Sequence, residues 1–232
     1  MEKSTGVLID NLLPASYTDR GRRTHGFCTI GKGFMRLVAQ NLSLERGGRR
    51  LLAGVSFVVA PGEALVVTGP NGAGKSSLLR ALAGFLPLSE GAVSCEGTAS
   101  REEATHYLGH LDALKGALTA AENLSFWAAL LGSGGLPAAE ALARLGLAHV
   151  ADLPVRALSA GQKRRVALAR LLVANRPLWL LDEPTTALDA AAQARFADLV
   201  RAHLIDGGLV VAATHAPLGL DGARTLVLGA AA

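Results

Sequence analysis

Cysteine and aromatic residues are both scarce in this chain of 232 residues, which has two cysteines, Cys28 and Cys95, and an aromatic share of 4%. Two distant thiols exclude a disulfide framework and show no metal-ligand spacing, so a reducing cytoplasm fits. With so few rings the core must be aliphatic, and 27 glycines mark a backbone that turns tightly in several places. No uncharged apolar run approaches the ~18 residues of a membrane span, and the N-terminus carries no apolar stretch of the secretory kind. Work at a membrane would need another chain to cross it. A strong field of one sign is missing too. The formal charge is +4, but residues 1–34 hold five Lys/Arg against three Asp/Glu, which leaves 18 against 16 elsewhere. The one dense basic cluster of the body, Lys163-Arg164-Arg165 with Arg170, reads as a solvated helix face rather than a nucleic-acid footprint.

What is present has a clear order. Residues 1–34 show neither helix nor strand period and read as disordered, or as an extension ahead of a true start at Met35. From Leu37 the segments LVAQNLSLE and RRLLAGVSFVVA flank Gly47-Gly48 as a β-hairpin with one buried face. ALVVT is a short apolar strand, followed by a glycine-rich loop and a helix carrying Leu78, Leu79 and Leu82 up to Gly84. Thr119 and Glu122 stand in capping-box register at the start of TAAENLSFWAALLG, and a second helix, AAEALARLGLA, resumes after Pro137 at its first turn. Ser159 caps a long helix that closes near Asn175 and Pro177, LWLL is a buried strand, and a further helix buries Phe196, Leu199, Val200 and Leu204 before the strand LVVAAT. Helices alternating with buried strands predict a mainly parallel sheet.

The loop GPNGAGKSS, Gly69-Pro70-Asn71-Gly72-Ala73-Gly74-Lys75-Ser76-Ser77, satisfies the phosphate-loop spacing G-x-x-x-x-G-K-[ST]. Its glycines let successive backbone N–H groups face phosphate oxygens, Lys75 can reach the β- and γ-phosphates, and Ser76 can ligate Mg²⁺. A nucleoside triphosphate is the natural guest. The metal also needs a carboxylate at the end of a buried strand, which LWLLDEP supplies as Asp182, while the adjacent Glu183 would face the attacking water as general base.

Between these motifs lies LSAGQKRR, Leu158 to Arg165, which closely resembles the signature of ABC-type ATPases and precedes LLDEPTTALD at that family's usual interval. The resemblance covers about residues 37–228 and implies an α/β fold: a P-loop NTPase (RecA-like) core with an antiparallel β subdomain and an inserted α-helical lobe at about 110–158, within one ATP-binding domain spanning 35–232. It also implies ATP with Mg²⁺ and a homodimer in which Ser159, Gly161 and Gln162 of one copy contact the γ-phosphate held by the other. Asp189 matches the loop that meets the partner copy, and His215 the switch histidine that bonds the γ-phosphate. Two positions depart from the family pattern: the adenine-stacking aromatic falls at Arg46 and the Q-loop glutamine at His110. An Arg guanidinium can still lie flat on a base, whereas imidazole is a poor Mg²⁺ ligand, which assigns His110 to water sensing or the permease contact. YLGHLDALKGALTAAENLSFW further resembles the CcmA branch, ATP-binding subunits of the haem exporter of cytochrome c maturation, at Gly109-His110, Lys115, Leu118-Thr119 and Glu122-Asn123-Leu124 with Phe126. That branch implies an integral-membrane permease partner and a peripheral position on the cytoplasmic face of the bacterial inner membrane, with no nucleic acid. The alternatives are an ABC exporter subunit for another cargo, a soluble ABC ATPase acting on nucleic acid or ribosomes through Lys163 to Arg165, and a small-molecule kinase, which leaves LSAGQ unexplained.

Overall fold

The computed structural model of the chain describes residues 35–98, 100–132 and 134–229. The expectation for residues 1–34 lies outside the described residues. β1 (Arg36–Arg46) and β2 (Arg49–Val59) pair antiparallel across Gly47 and Gly48. Both glycines are left-handed, at φ 57° and 72°, as a two-residue hairpin turn between right-twisted strands requires. β3 (Ala64–Thr68) leads through the glycine loop into α1 (Lys75–Leu82), and β4 (Glu90–Glu96) returns to pair with β1. A short α2 (Arg101–Ala104) precedes β5 (Thr105–Leu108). α3 (Ala120–Leu131), α4 (Ala138–Arg144) and α5 (Ala160–Val173) then pack against one another. β6 (Leu178–Asp182), α6 (Ala190–Ile205), β7 (Leu209–Ala213) and β8 (Arg224–Val227) complete the described chain.

The strands form two sheets: an antiparallel one in the order β2-β1-β4 and a wholly parallel one in the order β5-β6-β7-β3-β8. Every residue of β6 and β7 is buried, so alternation sorts their side chains between two cores instead of between core and water. Trp179, Leu181, Val210 and Ala212 face the cluster built with α3, α4, α5 and α6. Leu178, Leu180, Leu209, Val211 and Ala213 face the cluster shared with α1 and the β1–β2 hairpin. A parallel sheet covered on both sides, with an antiparallel subdomain beside it, is the α/β plan that the sequence predicts.

Two local expectations are corrected. Pro137 is the N-cap of α4, with an extended ψ of 147°, and the helix starts at Ala138 as expected but stops at Arg144, short of the Leu145–Ala148 stretch included in the expected helix. The basic cluster on α5 is solvated only in part: Lys163 and Arg165 are half-buried, whereas Arg164 and Arg170 are only 4% and 7% exposed. α5 packs against α3, α4 and β5, and Arg164 and Arg170 find their partners inside the protein.

Candidate active site

The parallel register fixes where chemistry can occur. Asp182 pairs with Ala213 and Val67 also pairs with Ala213, so β3, β6 and β7 end together, and the residues just past them meet at one sheet edge. Loops beyond the carboxyl ends of parallel strands are where α/β folds place ligand sites.

Gly69 opens the loop at φ 137°, where an added Cβ would lie 2.3 Å from the Leu228 carbonyl oxygen. Gly74, at φ 95°, is the N-cap of α1 and offers no side chain to occupy the helix start. The N–H groups at this helix terminus therefore remain available to an anion. Lys75 is buried and donates from Nζ to the carbonyls of Gly69 (2.8 Å) and Pro70 (3.1 Å), which holds the loop curled.

Ser76 Oγ donates to Asp182 Oδ1 at 3.0 Å, joining the start of α1 to the end of β6. Asp182 is 3% exposed, and its second oxygen, Oδ2, is buried with no hydrogen-bond partner. An orphaned carboxylate oxygen beside a hydroxyl suits a hard cation that prefers oxygen ligands. Among the described residues no cluster of three or more His, Cys, Asp or Glu could hold a metal unaided, so a cation here would share its ligands with the phosphates.

Glu183 follows at φ 47°, a left-handed conformation that few side chains adopt without strain. His215, just past β7, directs Nε2 to Asn71 Oδ1 (3.2 Å) and lies 3.8 Å from Glu183 Oε1. One imidazole thus touches both the glycine loop and the acidic turn.

The remaining sequence-selected residues lie elsewhere. Ser159 Oγ accepts from the Gln162 N–H (3.2 Å) while Gln162 Oε1 accepts from the Ser159 N–H (2.9 Å), a reciprocal capping box at the start of α5. A Cβ on Gly161 would come within 2.9 Å of the Ala187 carbonyl oxygen, so close packing of the 184–189 loop already requires glycine there. Asp189 caps α6, accepting from the Ala192 N–H at 2.7 Å. Among the described residues no hydrogen bond joins Ser159, Gly161, Gln162 or Asp189 to the Gly69–Ser77 loop. Arg46 is exposed at the end of β1, beside the hairpin turn.

His110 is exposed and lines a cavity of about 530 Å³ between the 105–113 segment and Trp127 and Leu131 of α3. Leu111 and Phe85 at its rim are 81% and 67% exposed. Asn123 pins the segment before α3, donating from Nδ2 to the carbonyls of Lys115, Leu118 and Thr119 and accepting from the Lys115 N–H. Arg164 and Asp112 were not singled out from the sequence for the site, although Arg164, Leu168 and Leu171 lie on one helical stripe that reads as buried.

The family model for the ABC transporter matches residues 52–186. A "Cytochrome c biogenesis ATP-binding export protein CcmA" of Chelativorans sp. (strain BNC1) is 54% identical, over 84% of this chain and 99% of that protein. The protein of the same name from Rhodopseudomonas palustris (strain BisB18) is 56% identical over 85% of this chain and 100% of its own length. The chain belongs to the CcmA family of ABC transporter ATP-binding subunits. Its fold is also that of solved ATP-binding cassettes. Cassette MJ0796, in a dimeric post-hydrolysis state bound to ADP and Pi, superposes with a TM-score of 0.73 at 26% identity, covering 83% of this chain and 94% of that one. Among the described residues, this CcmA-family subunit has no helix long and apolar enough to cross a membrane.

Proposed function

We infer that this CcmA-family subunit hydrolyses ATP to drive a separate integral-membrane permease, in an exporter that moves haem for cytochrome c biogenesis. One observation carries the hydrolytic reading: Lys75, Ser76, Asp182, Glu183 and His215 converge at a single sheet edge, with a buried carboxylate oxygen left for a cation. The curled Gly69–Ser77 amides and Lys75 hold the β- and γ-phosphates, and Arg46 lies flat against the adenine. Ser76 and Asp182 would hold Mg²⁺, which would supply positive charge to the phosphates as they react. Glu183 accepts a proton from water as its oxygen bonds to the γ-phosphorus and the bond to the β-phosphate oxygen breaks, giving ADP and phosphate. His215 bonds the γ-phosphate and keeps the glycine loop and the acidic turn in register.

Ser159, Gly161, Gln162 and Asp189 act on the nucleotide of a second copy. A capped helix start remote from its own phosphate loop is an anion site that an apposed protomer can fill. ATP then joins two copies, and loss of the γ-phosphate lets them part. The cavity beside His110, with Leu111 and Phe85 exposed at its rim, suits an apolar segment of the permease, which would hold the subunit at the cytoplasmic face of the inner membrane. Nucleic acid is not expected as a partner: a basic anchor at Lys163 to Arg165 loses its central residue to the interior.

Glu183→Gln should lower hydrolysis by roughly 100-fold or more while ATP stays bound, and unchanged turnover would refute the base assignment. The cargo is tested by deleting the gene and staining c-type cytochromes for haem. Lost staining is expected, whereas normal staining would leave an ABC ATPase with another cargo.

A further inference from the structure

Arg164 uses its whole donor set in one place. From α5 its Nε donates to the Pro184 carbonyl (3.1 Å), and its Nη2 donates to the carbonyls of Asp182 (3.0 Å) and Glu183 (2.7 Å). Its Nη1 donates to the Gly109 carbonyl (3.1 Å) and to Asp112 Oδ1 (3.0 Å). A guanidinium carries five N–H donors in a rigid fork, and all of them are occupied here.

In an extended strand successive carbonyls point to opposite sides, so three consecutive ones reach a single group only if the backbone reverses between them. The reversal occurs at Glu183, whose φ of 47° is the strained step in the turn. Arg164 and that strain therefore hold each other in place. The turn has two other backbone bonds, from the Glu183 N–H to the Ala213 carbonyl (2.8 Å) and from the Thr186 N–H to the Glu183 carbonyl (3.3 Å), but without the fork its three clamped carbonyls are released and the Glu183 side chain can shift from His215 and the glycine loop. The other end of the fork grips the segment that carries His110 and Leu111 at the cavity rim, and Arg170 binds the same segment through the Asp112 carbonyl at 3.0 Å.

We propose that Arg164 is the positioning residue for Glu183, and that by sharing its guanidinium with the 109–112 segment it ties the set of that carboxylate to the cavity rim. The proposal rests on the reading of Glu183 as the residue that activates water. Arg164 spends every donor on backbone carbonyls and Asp112, so it acts through the backbone of the turn.

The test is a double-mutant cycle in the full-length chain, with single-turnover hydrolysis of γ-labelled ATP followed over hours beside equilibrium ATP binding. Lysine keeps the charge but not the fork. Arg164→Lys should lower the hydrolytic rate by about 100-fold, since ångström-scale misplacement of a catalytic group costs about that much. ATP affinity should stay within about threefold of the parent, the mark of an interaction used only in the reacting state. In a Glu183→Gln background, Arg164→Lys should add no further loss. Asp112→Ala removes one of the five partners and leaves the turn bonded; it should give a smaller loss of the same kind, and it carries the test if the lysine variant does not fold. Wild-type rates in Arg164→Lys, or in Asp112→Ala where the lysine variant does not fold, a fall in affinity as large as the fall in rate, or losses that multiply with Glu183→Gln would each overturn the proposal. Full hydrolysis by Glu183→Gln alone would instead overturn the underlying reading of Glu183, a result visible in that single variant.

Discussion

His106 in β5 is 2% exposed, and its Nε2–H donates to the Ala174 carbonyl at 3.0 Å. Burial pushes its pKa down to about 4, and the nearby Arg176 and Arg170 cations press the same way against the Ala174 bond. The ring is therefore neutral in the folded protein at pH values where the unfolded chain, with an ordinary pKa near 6.5, already takes up a proton. Stability linked to this group is complete above pH ~6.5 and is lost as the pH falls towards ~4, by up to about 3 kcal/mol. His106→Gln, which retains an N–H donor, should flatten that acid limb; urea midpoints recorded from pH 7.5 down to about pH 4.5 measure it. The same scale shows what a sequence conceals. Lys75, Ser76, Asp182 and Glu183 lie in contiguous runs whose residue types announce phosphate and carboxylate chemistry. The place of Arg164 depends on carbonyls 18 to 55 positions away, so composition and local pattern marked it only as one basic residue among several.

At the scale of elements, two helices begin with the same device. α3 starts with Thr119 and Glu122 in a reciprocal capping box, and α5 starts with Ser159 and Gln162 in another. Thr119→Ala and Ser159→Ala should each cost about 1 kcal/mol in urea unfolding, because each removes a partner from an otherwise unpaired helix N–H. Only Ser159→Ala should also slow ATP hydrolysis; equal turnover in the two variants would reduce Ser159 to a cap. The Thr119 box and the Ser159 cap were legible in the sequence because a cap is a short-range signal; the reciprocal bond from Gln162 comes from the structure. β4, β5 and β8 were not. β5 and β8 are four residues long, and β4 is mostly exposed, so none offers enough alternation to stand out from a loop. β5 becomes a strand because β6 provides its ladder, and β8 because β3 does.

On the proposed reading, the molecule carries half of a nucleotide site at each of two places. The phosphate loop and acidic turn share the sheet edge, while Ser159 and Asp189 cap helices elsewhere and, among the described residues, make no hydrogen bond to that loop. If both halves serve one ATP, they must come from different copies. ATP should therefore double the sedimenting mass of Glu183→Gln, and chelating the divalent cation should reverse the effect; a single-copy mass throughout would remove the role of Ser159 in a second protomer's site. Two cores on opposite faces of the parallel sheet give each copy its own complete packing, so the proposed closure should be a rigid-body event. That plan was legible as alternating helices and buried strands, but the division of β6 and β7 between two cores was not, since a continuous apolar run does not reveal which neighbours its alternate residues meet.

The left-handed turn at Glu183 has a thermodynamic corollary. Glycine would lie there at ease, because an L side chain in that conformation costs about 1–2 kcal/mol, of which the looser unfolded glycine chain returns about half. Glu183→Gly should therefore be slightly harder to denature than the parent while failing to split ATP. A mutant sturdier than its ancestor and chemically inert would show that this subunit carries its reactive carboxylate at a standing loss of robustness.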